Sequence, residues 1–230
     1  PAKFCTEYKK WINKDKNFKG WEDFKHLDFS NGTTETFDKF YQTHSNLRLR
    51  LLRGEYFYHQ IQARVLFENR FNWIGDAPLS AGDVVVMSCP FSDTGNVPSG
   101  LDDILSECDR LEIPVLLDMA YISISDITDL DLSHACIRVI TSSLSKVFPV
   151  EHHRIGIRMR REFEDDTMAA YNQNQYVNRH SVNLGHHMIS SFSNDWLIKK
   201  YKEQQKQICD EMGLEASSCV IFGIDRNKHF

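Results

Sequence analysis

Apolar and polar positions divide the chain into short apolar runs alternating with amphipathic stretches. Val84 to Met87 and Ile113 to Leu117 are continuous apolar runs, the pattern of strands buried on both faces. Leu47 to Leu52 alternates leucine with arginine, and Cys136 to Thr141 is β-branched; both read as strands. Phe71 to Ile74 and Arg154 to Met159 are shorter strand candidates. Between these runs the period lengthens. Thr33 onward places Phe37, Phe40 and Tyr41 on one helical face, and His59 to Arg70 does the same with Ile61, Val65 and Leu66. Ser99 caps a predicted helix through Leu111, with Leu101, Ile104, Leu105 and Cys108 on one face. Strands alternating with helices predict an α/β fold, a three-layer sandwich around a mainly parallel sheet.

The two ends read differently. Residues 1–26 carry Tyr8, Trp11, Phe18, Trp21 and Phe24 among lysines, which predicts a short amphipathic helix and a packed N-terminal arm. From Arg161 the pattern turns helical: Leu184, Met188, Phe192 and Trp196 are spaced by four, and Leu197, Tyr201 and Ile208 continue to Met212. Ser218 to Ile224 reads as a strand. The expected division is an arm over 1–26, a large α/β domain over 27–160, and a helical segment with a reduced α+β part over 161–230.

Composition narrows the function classes. The chain has 230 residues, 41% hydrophobic and 26% charged, enough for one large core. A net charge of −5 argues against a nucleic-acid or anionic-membrane partner. No apolar run is long enough to span a bilayer, and residues 1–30 lack a signal-peptide core. Six scattered cysteines without paired spacing predict free, buried thiols in a reducing, cytoplasmic setting.

The chemistry concentrates at predicted strand ends, where open α/β sheets bind ligands. Asp28 to Phe37 runs through Ser30-Asn31-Gly32-Thr33 into a helix. Two readings fit: an anion cradle of free N–H groups, or plain helix capping. Ser92 follows the Val84 strand, and Asp118 with Tyr121 follows the Ile113 strand. Ser142-Ser143-Leu144-Ser145-Lys146 leaves the Cys136 strand, with Arg154-Ile155-Gly156 eight residues beyond the lysine. A lysine among hydroxyls is either a solvated loop residue or one held for Schiff-base chemistry.

Ser143-Leu144-Ser145-Lys146 with Arg154-Ile155-Gly156, and Pro114 to Tyr121 before them, resemble the class I/II aminotransferases. These belong to the fold-type-I enzymes that use pyridoxal 5′-phosphate, and the resemblance covers Asp28 to Arg161 best. It implies that Lys146 holds the cofactor as a Schiff base in a desolvated site and later moves protons. It implies that Asp118 pairs with the pyridine nitrogen and that Tyr121 hydrogen-bonds the phenolic oxygen. Arg154, Ser143, Ser145 and the Asn31-Gly32-Thr33 turn would hold the phosphate. Tyr56 would stack on the ring, with Tyr58 the alternative if the register shifts. The implied activity is transamination of an amino acid or related amine with a 2-oxo acid, in a homodimer. Lyase or decarboxylase chemistry on the same cofactor is the first alternative. A cofactor-binding homologue with reduced catalysis, acting as partner or sensor, is the second.

The departures are specific. Cys89-Pro90-Phe91-Ser92-Asp93-Thr94-Gly95 stands where the family has Asn-Pro-x-Asn-Pro-Thr-Gly, so Ser92 replaces an asparagine that contacts the phenolic oxygen. Pro149 and His152 replace small residues after the lysine. Family members are longer, and Arg226 has no context matching their carboxylate-binding arginine. Metal binding is not expected: His152-His153 and His186-His187 lack a third ligand at suitable spacing, and Asp126, Asp129 and Asp131 lack the glycine and glutamate of a calcium loop.

Overall fold

The computed structural model describes residues 1–225; Arg226 lies outside the described residues. The strands are β1 (Asn17–Lys19), β2 (His26–Ser30), β3 (Arg48–Leu51), β4 (Phe71–Trp73), β5 (Asp83–Ser88), β6 (Val115–Asp118), β7 (Asp129–Asp131), β8 (Ile137–Ser143), β9 (Gly156–Arg160), β10 (Glu215–Ala216) and β11 (Gly223–Ile224). The helices are α1 (Ala2–Ile12), α2 (Thr33–Thr43), α3 (Phe57–Val65), α4 (Leu101–Arg110), α5 (Thr167–Gln173), α6 (Arg179–Ser191) and α7 (Trp196–Met212).

Seven strands form the central sheet in the order β2-β9-β8-β6-β5-β3-β4. The pairs from β8 to β4 are parallel, and β9 runs antiparallel to both neighbours. The continuous apolar runs explain the centre. In β5, Val85 and Met87 enter the larger apolar cluster while Val84 and Val86 enter the smaller one. In β6, Val115 and Leu117 oppose Leu116 in the same way. Alternate side chains of one strand thus feed two cores, so both faces must be covered. Helices α1 and α4 supply Phe4, Tyr8, Leu101 and Leu105 to one layer; α2 and α3 supply Phe37, Phe40, Tyr41 and Ala63 to the other. This is the expected three-layer arrangement. Trp21 and Phe24, in the turn after β1, are buried in the larger cluster with α1.

Several boundaries differ from the sequence reading. Helix α4 begins at Leu101 with Gly100 at its cap position and no side-chain cap, so Ser99 lies one residue outside. Asp102 and Asp103 in its first turn complement the dipole instead. Helix α3 runs from Phe57 to Val65, stopping short of Arg70 because Phe67 turns into the smaller core. The row of residues spaced by four is split. Helix α6 ends at Ser191, Phe192 is extended, and α7 starts at Trp196. Ser218 to Ile224 is not one strand: Gly223–Ile224 pairs antiparallel to Glu215–Ala216, and Cys219 makes an isolated bridge to Ser125. The buried Gln205 amide donates to the carbonyls of Ser217, Cys219 and Phe222, which curls that segment. Asp129 and Asp131 lie in β7 beside β1, where Asn17 and Lys19 engage them; Asp126 pairs with Lys202.

Strands β2 and β9 are joined by charge as well as by their ladder. Asp28 and Arg158 are register partners, and Asp28 Oδ2 accepts from Arg158 Nη2 at 2.8 Å and from Arg160 Nη2 at 2.9 Å. Asp166 also pairs with Arg158 and accepts from the Ala169 N–H as the cap of α5. Asp28, Arg158 and Arg160 are all buried.

Candidate active site

Parallel strands bring their carboxyl ends to one edge of the sheet, and the antiparallel β9 brings its start there. Ser30, Gly156 and Ser143 sit on adjacent rungs of β2, β9 and β8, and Ser88 pairs in register with Asp118. The loops that follow enclose a cavity of about 170 Å³ lined by Thr33, Thr34, Tyr56, Ser92, Asp118, Ala120, Tyr121, Ser143, Ser145, Lys146, Glu151 and Arg154. Thus Thr33, Tyr56, Ser92, Asp118, Tyr121, Ser143, Ser145, Lys146 and Arg154, all singled out in the sequence, converge on one space.

Asn31 and Gly32 stand behind it. The Asn31 N–H and side-chain amide both donate to Glu35, in the first turn of α2, which ties the residue before the Gly32 cap to the helix start. Gly32 has φ +79°, and a Cβ there would come 2.3 Å from Arg154 Nη2. A Cβ on Gly156 would meet Gly32 backbone at 2.9 Å. Glycines therefore let β9 and the α2 turn close together, seating the Arg154 guanidinium over the helix start. Arg154 has φ +52°, an unusual conformation for a residue with a side chain. Its guanidinium has no carboxylate partner among the described residues, its hydrogen bonds being long ones to Glu151 O and Thr34 Oγ1.

Lys146 follows β8 in a single 3-10 turn. Its ammonium lies 5.3 Å from the centre of the Tyr121 ring and makes no hydrogen bond or ion pair with the described residues. The side chain is exposed, contrary to the desolvated setting expected from sequence, because it stands at the cavity rim. Ser145 Oγ is buried and has no hydrogen-bond partner among the described residues. Tyr56 is 42% exposed at the mouth, whereas Tyr58 points to Asp38, which its hydroxyl bonds; Tyr56, not Tyr58, reaches the cavity.

Asp118 is 5% exposed at the cavity floor, and among the described residues its carboxylate accepts one hydrogen bond, from the Ala120 N–H at 3.0 Å. Burial raises its pKa from 3.8 to about 7, Glu55 adds to the rise, and Lys146 opposes it. A raised carboxyl pKa means the folded state binds the extra proton between those two values. Asp118 therefore contributes stability that is present below about pH 4 and lost as pH rises through about 7. We expect the melting temperature of Asp118→Asn to depend less on pH than that of the parent across this window. Parallel pH profiles of the two proteins would contradict it.

Sequence reasoning missed Thr34, Ala120, Glu151 and the buried Glu55. Glu151 was close to view, in the loop whose Pro149 and His152 are unusual. Glu55 directly precedes Tyr56, but nothing in the sequence marks it as buried. A second cavity of about 610 Å³, lined largely by apolar groups including Phe148, Trp196, Leu197, Tyr201 and Ile208, meets the first at Ser145, Lys146 and Glu151.

No family model matches the chain, and no curated protein matches its sequence. Solved structures do match. A pyridoxal-phosphate-bound C-S lyase from Staphylococcus hominis superposes on 95% of this chain with TM-score 0.69 and 10% identity. The tyrosine aminotransferase from Leishmania infantum covers 94% with TM-score 0.70 and 12% identity. The L-threonine-O-3-phosphate decarboxylase from Porphyromonas gingivalis covers 95% with TM-score 0.66 and 14% identity. The chain spans 64%, 68% and 75% of those three proteins respectively. At such identities the match speaks for architecture. The chain has the class I/II aminotransferase-like, fold-type-I architecture of pyridoxal-phosphate-dependent enzymes.

Proposed function

We propose that the chain binds pyridoxal 5′-phosphate in this cavity and, as a homodimer, transfers an amino group between an amino acid or related amine and a 2-oxo acid. One observation carries the reading. A lysine, a buried carboxylate, a phenol and a guanidinium over a helix start share a single cavity at the carboxyl edge of the sheet. The unpartnered Ser145 hydroxyl and the Gly32 cradle fit a phosphate-bearing ligand. The named chemistries of the structural neighbours support the cofactor class, and the free, buried cysteines support a reducing, cytoplasmic setting.

When bound, the cofactor supplies an electron sink for charge developing at the substrate α-carbon. The chain's own residues do the rest. Lys146 Nζ supplies the nucleophilic amine and carries the α-proton. Asp118 would pair with the ring nitrogen and keep it protonated. Tyr121 would donate a hydrogen bond to the phenolic oxygen, and Tyr56 would cover the ring. Arg154, the N–H groups of Thr33 and Thr34, and the Ser143 and Ser145 hydroxyls grip the phosphate. The apolar cavity beyond Lys146 suits a substrate with an apolar side chain.

Stoichiometric mixing of cofactor-loaded protein with amino acids and amines tests the reaction. Transfer predicts one carbonyl product per site, with the amino group retained until a 2-oxo acid is added. Release of carbon dioxide, or elimination of a side chain, would move the assignment to decarboxylase or lyase chemistry. No product with any amine would leave a binding protein with reduced catalysis.

A further inference from the structure

Glu55 is the strangest group near the cavity: a carboxylate 1% exposed, without a cationic partner among the described residues. It accepts the Ser88 N–H at 2.9 Å, the Ser88 hydroxyl at 2.5 Å, the Tyr56 N–H at 2.8 Å and the Ser92 hydroxyl at 3.0 Å. Those contacts limit where the hydroxyl protons can point. Ser88 Oγ already accepts from the Ser92 N–H at 2.9 Å, so its own proton goes to Glu55. The Ser92 hydroxyl has two neighbours placed to accept, Glu55 Oε1, which already takes the Tyr56 N–H and the Ser88 hydroxyl, and the Gly54 carbonyl at 3.2 Å. Whichever it bonds, its single proton points away from the cavity it lines.

We propose that Glu55 is a positioning residue of the cofactor site, locking Ser92 so that it presents a lone pair, not a donor, to the bound ring. This rests on the pyridoxal-phosphate reading above. It also reverses the polarity that an asparagine amide at position 92 would offer. A phenolic oxygen that meets a donor is stabilised as the anion, and the chromophore then gives up its proton at lower pH. One that meets an acceptor keeps the proton to higher pH. The other groups around Glu55 fit this: Asp118 is the second buried carboxylate beside it, and burial keeps the Tyr41 hydroxyl and the Cys89 thiol neutral. The carboxylate is itself pushed up by burial and pulled back by its four donors.

The test is the pH midpoint of the visible spectrum of the full chain loaded with pyridoxal phosphate, with cofactor affinity from titration and folding from circular dichroism. Glu55→Gln, whose amide can donate to Ser92 and release its proton toward the cavity, is expected to lower the midpoint by about one pH unit, the tenfold worth of one hydrogen bond to an ionised oxygen. Adding Ser92→Ala to that variant should cancel most of the shift. Ser92→Asn, which leaves Glu55 in place and does not depend on Glu55→Gln folding, should lower the midpoint as well. An unmoved midpoint in folded, loaded Glu55→Gln or in Ser92→Asn would overturn the proposal. So would a shift that survives removal of Ser92, since Glu55 would then act directly through its charge. Parent protein that takes up no cofactor would overturn the cofactor reading and this inference with it, a result distinct from loaded variants with unmoved midpoints.

Discussion

Lys146→Ala is expected to fold like the parent and to lose its covalent hold on the cofactor. The native side chain is exposed and its ammonium, 5.3 Å from the Tyr121 ring centre, makes no hydrogen bond or ion pair with the described residues, so its removal costs at most about 0.5 kcal/mol of stability, as for ordinary surface positions. Loss of the proton carrier alone lowers turnover by roughly 10²–10⁴-fold. Arg154 and Asp118 remain, so pyridoxal phosphate still binds but is removed by desalting. Lys146→Arg makes the same point with the charge kept, because a guanidinium stays protonated and cannot act as the nucleophile. Either variant retaining colour through gel filtration as the parent does would contradict the assignment of Lys146.

The largest effect on stability is expected from Asp28→Ala. Asp28 Oδ2 is shared by two buried guanidiniums; Arg158 keeps Asp166 as a second carboxylate, whereas Arg160 has beyond Asp28 a longer pairing, 3.9 Å, with the exposed Glu164. Removing one member of a buried ionic group costs about 3–5 kcal/mol because the remaining charge is stranded. For a chain of this size that is on the order of 10 °C in melting temperature. Strand β9 carries Gly156 at its start, so its loosening should also weaken cofactor binding through Arg154. A melting temperature within about 2 °C of the parent would show that water satisfies the arginines.

What could be read in advance was what local chemistry dictates. The runs Val84 to Met87 and Ile113 to Leu117 have no polar face, so they required layers on both sides, and the structure supplies them. Asp118 and Lys146 were visible because each follows a strand-like run at its carboxyl end, and Gly32 because Ser30-Asn31-Gly32 leads into a helical pattern. Long-range bonds were not visible. The spacing of four from Leu184 to Trp196 predicts one helix, but the Trp11 indole donates to Phe192 O at 2.7 Å, and the Asn194 amide donates to Ile12 O and Lys14 O. Those bonds to α1 and the turn after it, more than a hundred residues away, hold the chain out of the helix between α6 and α7. Glu55 is hidden for the same reason. Its burial depends on Ser88 and Ser92 arriving from β5, and no local pattern around Glu55 announces them.

Reduction of the cofactor-loaded protein with borohydride, followed by peptide mapping, tests the central claim most directly. The account predicts one pyridoxyl adduct per chain, on the peptide containing Lys146, formed at cofactor concentrations close to those of the protein and lost in Lys146→Ala. No adduct, or adducts scattered over surface lysines such as Lys3 and Lys200 while Lys146 stays unmodified, would contradict it.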